Sequence, residues 1–346
     1  MYKGAACGRS KGAAIQANNG VSMDETVACS GFFTAKEEGT INCLESFQQD
    51  GVLQWISGNL LEGIYNIGYA ALHPQLWLNW EDKQALGRFI YYGGSHELFF
   101  AIVIFFLTIF AIGIFARNFL WGVVRGLEGF ANVTGRLFAW AGLIMVLQQV
   151  MIIFLQRVFR VSEISLGPFG AAFTKDLSWW SEELKLYNAM IVALCCAYTF
   201  VQGGHVRVDL FYAGMKHRTK RFMDMFGCVF FMMPAMVLTW MYGWFFLWRN
   251  LVTPKISASD GLDMILRKAG LMKWNVETIG FSPNGFNGYF LFKILLVSFA
   301  GMMFLQACAF FYRSYLEFVE GEDSADKYLD KDVLDDEVAE TAAAIH

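Results

Sequence analysis

The densest concentration of reactive side chains lies in "VQGGHVRVDL", Val201–Leu210, where His205, Arg207 and Asp209 follow two glycines at the end of an apolar run. Such a cluster suits a metal or catalytic site, an ion pathway, or a joint that holds this chain against another. A membrane haem takes axial histidines projecting into the bundle from facing helices. The histidines here are His73, His96, His205, His217 and His346, and none falls in the middle of an apolar run. Cys7, Cys29 and Cys43 have no zinc-like spacing. No Ser-His-Asp grouping, P-loop or HExxH motif occurs, so the chain reads as a non-enzyme with no catalytic, cofactor-binding or metal-ligating residue assigned. If Gly203 and Gly204 end a helix, an extended "HVRVD" points His205, Arg207 and Asp209 one way and Val206 and Val208 the other. Two readings stay open: a helix-end turn whose charges meet headgroups and water, or a polar joint between two membrane helices and a neighbouring chain.

The elements that position this stretch are set by composition. Of 346 residues, 56% are hydrophobic and only 17% charged, well below the quarter expected of a soluble domain, so the chain reads as an integral membrane protein. Four charge-free windows have the length a bilayer demands: Leu98–Ala116, Leu137–Gln156, Met225–Trp248 and Ile294–Tyr312. Leu186–Gln202 is shorter, and the stretch to Val206 extends it. Five spans are expected. "VLQWISGNLLEGIYNIGYAAL", Val52–Leu72, carries Glu62 and three glycines and is too polar for a span. It suits a helix lying at the interface or packed on a partner. Residues 1–50 read as irregular, with no standard signal peptide and with a Cys29–Cys43 disulfide only in an oxidising compartment.

From Glu317 to His346 there are eleven acids against Lys327 and Lys331, a net of −9 that leaves the remainder at +5 from the chain's −4. This tail reads as solvated and partly disordered, and no basic patch with interleaved aromatics supports nucleic-acid binding. Near the span ends, Lys and Arg number 8 in the 42 residues of 117–136 and 203–224, against 10 in the 74 residues of the two opposing loops. That density puts "KHRTKR", Lys216–Arg221, and the acidic tail in the cytoplasm and the N-terminal region on the other side.

Within the spans little is available to carry a charged solute, since a carrier places acids or bases near the midplane. Gln148, Gln149 and Gln156 are explained by interhelical hydrogen bonds, the cysteines at 195, 196, 228 and 308 by packing as small hydrophobes, and Lys293 and Arg157 by snorkelling at span edges. Trp240, Trp244 and Trp248 recur every four residues, which reads as an interfacial aromatic belt ahead of a partner face. Pro234 leaves the Phe230 carbonyl without its usual donor, so a kink is expected there.

"SWWSEELKLYNAMIVALCCAYTFVQGGHVRVDLFY", Ser178–Tyr212, resembles the small membrane subunit (DctQ-type) of TRAP transporters, the tripartite ATP-independent periplasmic transporters. The matching residues are Trp180, Glu182, Glu183, His205, Arg207, Val208, Asp209, the basic loop 216–221 and Pro234. "FSPNGFNGYFLFK" and "LQACAFFYR" resemble the lead-in to the family's last helix and its exit. The likeness covers roughly Arg136 to Arg313. It implies a four-helix subunit that carries no solute itself and holds no cofactor. A large membrane subunit moves the solute with sodium, and a periplasmic binding protein delivers it, commonly a carboxylate. On that basis Trp180, Glu182, Glu183, His205, Arg207, Asp209, Pro234 and Lys293 are candidates for the subunit interface.

The expectation is an all-α integral membrane bundle of about five helices, four family-like plus at least one extra N-terminal span, in the bacterial inner membrane. Its parts are an N-terminal extension 1–96, an extra span and loop 97–136, the small-permease bundle 137–313 and the acidic tail 314–346. A rival reading is the non-catalytic membrane anchor of a redox complex. A second is a self-sufficient channel or carrier.

Overall fold

The computed structural model describes residues 51–330 except 80, 167–172, 204–213, 277–284 and 326. His205, Arg207 and Asp209, the cysteines at 7, 29 and 43, His346 and the tail from 331 onward lie outside the described residues. Apolar runs of bilayer length can satisfy their backbone groups internally only as helices or closed barrels, and here they form helices. Among the described residues five are long and apolar enough to cross a membrane: His96–Phe115, Arg117–Arg157, Leu177–Val201, His217–Leu251 and Tyr289–Glu320. The chain is an all-α membrane protein, apart from two short hairpins among the described residues.

Two units divide the chain, residues 1–107 and 108–346. The described part of the first contains α1 (Val52–Leu72), a single turn α2 (Gln75–Leu78), α3 (Lys83–Gly93) and the first half of α4 (His96–Phe115). Asp82 caps α3 by accepting the Gln84 N–H at 2.9 Å. Ala85, Leu86, Ile90 and Phe100 are buried, and Trp55 meets Phe100 edge-on at 5.4 Å. At Gly63 a Cβ would stand 2.7 Å from Ile104 Cδ1, so glycine permits this approach of α1 to α4. The helix expected at 52–72 is present with those bounds, and Val52, Leu53 and Leu72 are exposed along it.

The second unit holds α5 (Arg117–Arg157), α6 (Leu177–Val201), α7 (His217–Gly227), a π turn (Cys228–Met232), α8 (Met233–Leu251), a short α9 (Leu262–Gly270) and α10 (Tyr289–Glu320). Between α5 and α6 runs an antiparallel hairpin of β1 (Glu163–Leu166) and β2 (Phe173–Asp176), with Glu163 opposite Asp176 and Ile164 opposite Lys175. A smaller hairpin pairs β3 (Val252–Thr253) with β4 (Lys273–Trp274). The border expected at 136/137 falls inside α5, one continuous helix of 41 residues. At 1.5 Å per residue it is about 60 Å long, twice a hydrocarbon core, so its polar half extends well beyond the span.

Small residues set the helix spacing. A Cβ at Gly135 would lie 2.1 Å from the Cβ of Tyr198, so α5 and α6 touch there backbone to side chain. A Cβ at Gly301 would stand 3.1 Å from the Trp240 ring and one at Gly243 3.3 Å from Val297, so glycine lets α8 seat closely on α10. Small residues at such crossings are how membrane helices gain close packing without a hydrophobic drive between them. Cys195, Cys196, Cys228 and Cys308 are free thiols within these contacts, and the Cys195 thiol donates to the Gly135 carbonyl at 3.4 Å.

One expectation changes. Trp244 and Trp248 are buried, and Trp240, Trp244 and Trp248 stack in series at 5.5 and 5.9 Å before Trp248 meets Trp274. The stripe therefore packs inside this chain and does not form an interfacial belt, because the glycines of α8 and α10 bring the two helices close enough to enclose it. Pro234 follows the π turn Cys228–Met232, a second local irregularity of the kind that bends helices, and the helix continues to Leu251.

Candidate functional site

Charges excluded from the apolar windows collect at the two ends of the second unit. On α5 the positions Trp121, Glu128, Asn132 and Gly135 recur at helical spacing and form one buried stripe. Glu128, at 4% exposure, meets Arg313 of α10, at 5%. The guanidinium donates through Nε to Glu128 Oε1 at 2.7 Å and through Nη2 to Oε2 at 2.5 Å, the two-pronged geometry that suits Arg. Its Nη1 donates to the Lys327 carbonyl at 3.0 Å and lies 3.6 Å from Glu317 Oε1. Glu317, one turn along α10 and 1% exposed, also takes Arg221 of α7, which in turn pairs with Asp224 at 3.2 Å. Three helices are thus joined by a chain of alternating charge.

The segment after α10 closes over this joint. Gly321 adopts φ +93°, a left-handed conformation that glycine takes without strain, and turns the chain back. Asp330 then accepts from Asn132 through its carboxylate at 3.2 Å and pairs with Arg136 at 3.1 Å. Its carbonyl accepts from Gln202 and Asn132, each at 3.0 Å. Trp121 donates to Glu320 at 3.1 Å, and Tyr328 lies beneath Arg125 at 5.1 Å. The described part of the expected solvated tail is therefore helical to Glu320 and packed to Asp330. Within it Glu317 pairs with Arg221 and Arg313, and Asp330 with Arg136, while Glu322 and Asp323 are exposed.

At the opposite end Gln148 of α5 donates to the Trp180 carbonyl at 3.1 Å and to Glu183 at 3.2 Å, the interhelical bond expected of it. Tyr187 donates to the other Glu183 oxygen at 3.2 Å. Glu182 accepts the Phe286 N–H at 2.9 Å and so fixes the lead-in to α10. Lys293 is 5% exposed, with its ammonium 4.6 Å from the Phe246 ring and 4.7 Å from Tyr289; the aromatics enclose it, so it does not snorkel to water.

Of the interface candidates, Trp180, Glu182, Glu183 and Lys293 thus gather at one end of the bundle with partners in this chain, Pro234 sits within the fourth span, and the "HVRVD" residues lie outside the described region. Sequence reasoning did not find the Glu128–Arg313–Glu317–Arg221 joint. Its signal was faint: one acid in "RGLEGF" and an i,i+4 Arg-Glu pair just past an apolar window. Chemically the joint pairs each of its acids with an arginine from another helix and suits holding helices together. Among the described residues no group of three or more His, Cys, Asp or Glu is arranged to hold a metal.

Residues 169–317 match the family described as Tripartite ATP-independent periplasmic transporters, DctQ component. The matched segment contains α6 to α10 as far as Glu317 and so three of the five spans, while α5 precedes it. No curated protein and no solved structure gives a significant match.

Proposed function

We propose, from the match of residues 169–317 to the DctQ component of the tripartite ATP-independent periplasmic transporters, that this chain is the fixed, non-transporting membrane subunit of a solute importer. Its partners in this reading are a large membrane subunit that moves the solute, a carboxylate by preference, with sodium, and a periplasmic binding protein that delivers it. The chain itself needs no cofactor. It sits in the bacterial inner membrane with Lys216–Arg221 cytoplasmic and residues 1–90 periplasmic.

One observation carries the reading. Six ionised groups near the span ends hold helices and the lead-in to α10 together: Glu128, Arg221, Arg313 and Glu317 at one end, Glu182 and Glu183 at the other. A bundle braced at both ends suits a static wall against which a partner domain slides. It does not suit a path for ions, which demands groups that exchange partners. The "HVRVD" stretch, just beyond α6, is assigned to the contact with the large subunit.

Purification in mild detergent from cells that express the whole system tests this. The chain should emerge with a large hydrophobic partner, and Arg207→Ala should lower that yield and transport in proportion while leaving apparent solute affinity unchanged. A stable, monodisperse chain without a partner would refute the reading. So would an Arg207→Ala complex that assembles normally with altered solute or sodium affinity.

A further inference from the structure

Helix α7 has two faces with different fates. His217, Arg221 and Asp224 turn inward to α10, where His217 Nε2 lies 3.4 Å from the Glu317 carbonyl and Arg221 pairs with the Glu317 carboxylate. Lys216 and Arg218 are exposed, and among the described residues neither side chain makes an ion pair. Arg218, Phe222 and Phe226 recur at four-residue spacing on the outward face, with Phe222 55% and Phe226 42% exposed. Beyond the π turn the same helix continues as a membrane span, with Phe230, Phe231, Leu238 and Tyr242 exposed along it. Cations therefore stand at the head of an apolar face that runs the length of a bilayer.

From this arrangement we propose that the outward face of α7 is a binding site for an anionic phospholipid. Lys216 and Arg218 take the phosphate, and the acyl chains lie along Phe222, Phe226 and Phe230. The charge order argues for lipid: two cations without acidic partners among the described residues stand at the head of a row of aromatic rings, the arrangement of headgroup over chain. The inner face leaves Arg221 out of the site, because Glu317 and Asp224 already hold it. The inference is independent of the transport assignment, since it concerns only how this helix meets the bilayer.

Each cation near a membrane surface favours an anionic lipid by about fivefold, so two give a preference on the order of 20-fold. The test uses the full chain in detergent, exposed to mixed micelles holding equal phosphatidylglycerol and phosphatidylcholine, with retained lipid read by native mass spectrometry. Wild type should retain phosphatidylglycerol preferentially. Lys216→Gln with Arg218→Gln should equalise the two lipids without moving the unfolding midpoint, since both side chains are exposed, and Lys216→Arg with Arg218→Lys should keep the preference. An unchanged preference in the glutamine variant, or none in wild type, overturns the proposal. Loss of a co-purifying protein with lipid retention unchanged also overturns it, because the face then belongs to a protein contact.

Discussion

Replacing Arg313 by alanine removes the centre of the buried joint. The guanidinium is 5% exposed and satisfies both oxygens of Glu128, itself 4% exposed, as well as the Lys327 carbonyl that holds the returning segment. Truncation strands Glu128 among apolar neighbours and leaves Glu317 with Arg221 alone. Breaking one half of a buried pair costs about 3–5 kcal/mol, because the remaining charge has lost its partner and cannot recover its hydration. For a domain of this size that lowers the unfolding midpoint by roughly 6–20 °C. Arg136→Ala is the internal control: Arg136 and Asp330 have side chains 42% and 60% exposed, and such a pair contributes about 0–1 kcal/mol. The assay is thermal unfolding of the purified chain in one detergent, followed by tryptophan fluorescence. Arg313→Met combined with Glu128→Met removes both charges and should recover most of the loss. If Arg313→Ala melts within error of Arg136→Ala, the reasoning fails.

Four further outcomes are expected. Gly135→Ala should destabilise by at least about 1–3 kcal/mol, since the new Cβ meets Tyr198 at 2.1 Å; a neutral effect in the same melt would show that α5 and α6 separate freely there. Gln148→Leu should cost about 1–3 kcal/mol by leaving Glu183 short of a donor, and the additional change Glu183→Gln should restore part of it. Asp260, although burial pushes its carboxyl up, is held on balance below the ordinary 3.8 by the Lys268 hydrogen bond, the Ser257 N–H and the Lys268 charge. Its contribution is whole above that value and is lost as pH falls through the depressed folded value, so the midpoint difference between wild type and Asp260→Asn should hold from about pH 7 to 4 and shrink below. With the native cysteines replaced, a membrane-impermeant thiol reagent on cells with opened outer membranes should label Glu81→Cys and spare Glu322→Cys, both exposed positions; the reverse pattern inverts the orientation.

What the sequence disclosed follows from what is periodic in it. Runs without charge become helices of bilayer length because no alternative satisfies their backbone, so all five spans were legible, as was the helix at 52–72. Gln148 was legible as an interhelical bond because a lone amide in an apolar window has few other uses. The joint of Glu128, Arg313, Glu317 and Arg221 was not, because its members lie 92 or more residues apart on three helices except for one i,i+4 pair, and pairing at that range leaves no local pattern. The start of the acidic tail was illegible for the same reason: nothing local in the sequence shows that Arg221 and Arg136 face Glu317 and Asp330. The tryptophans of α8 misled because spacing fixes a face but not its neighbour, and the glycines that bring α10 against it sit on both helices.

In the proposed function this chain takes part in transport without carrying solute. Uptake into proteoliposomes tests it most directly, with an imposed sodium gradient and labelled carboxylates that the cognate binding protein retains. Vesicles with the chain alone should accumulate nothing above protein-free controls, and vesicles with the chain, its large partner and the binding protein should accumulate solute. Sodium-driven uptake by the chain alone, or full uptake by the partner and binding protein without it, would contradict the account.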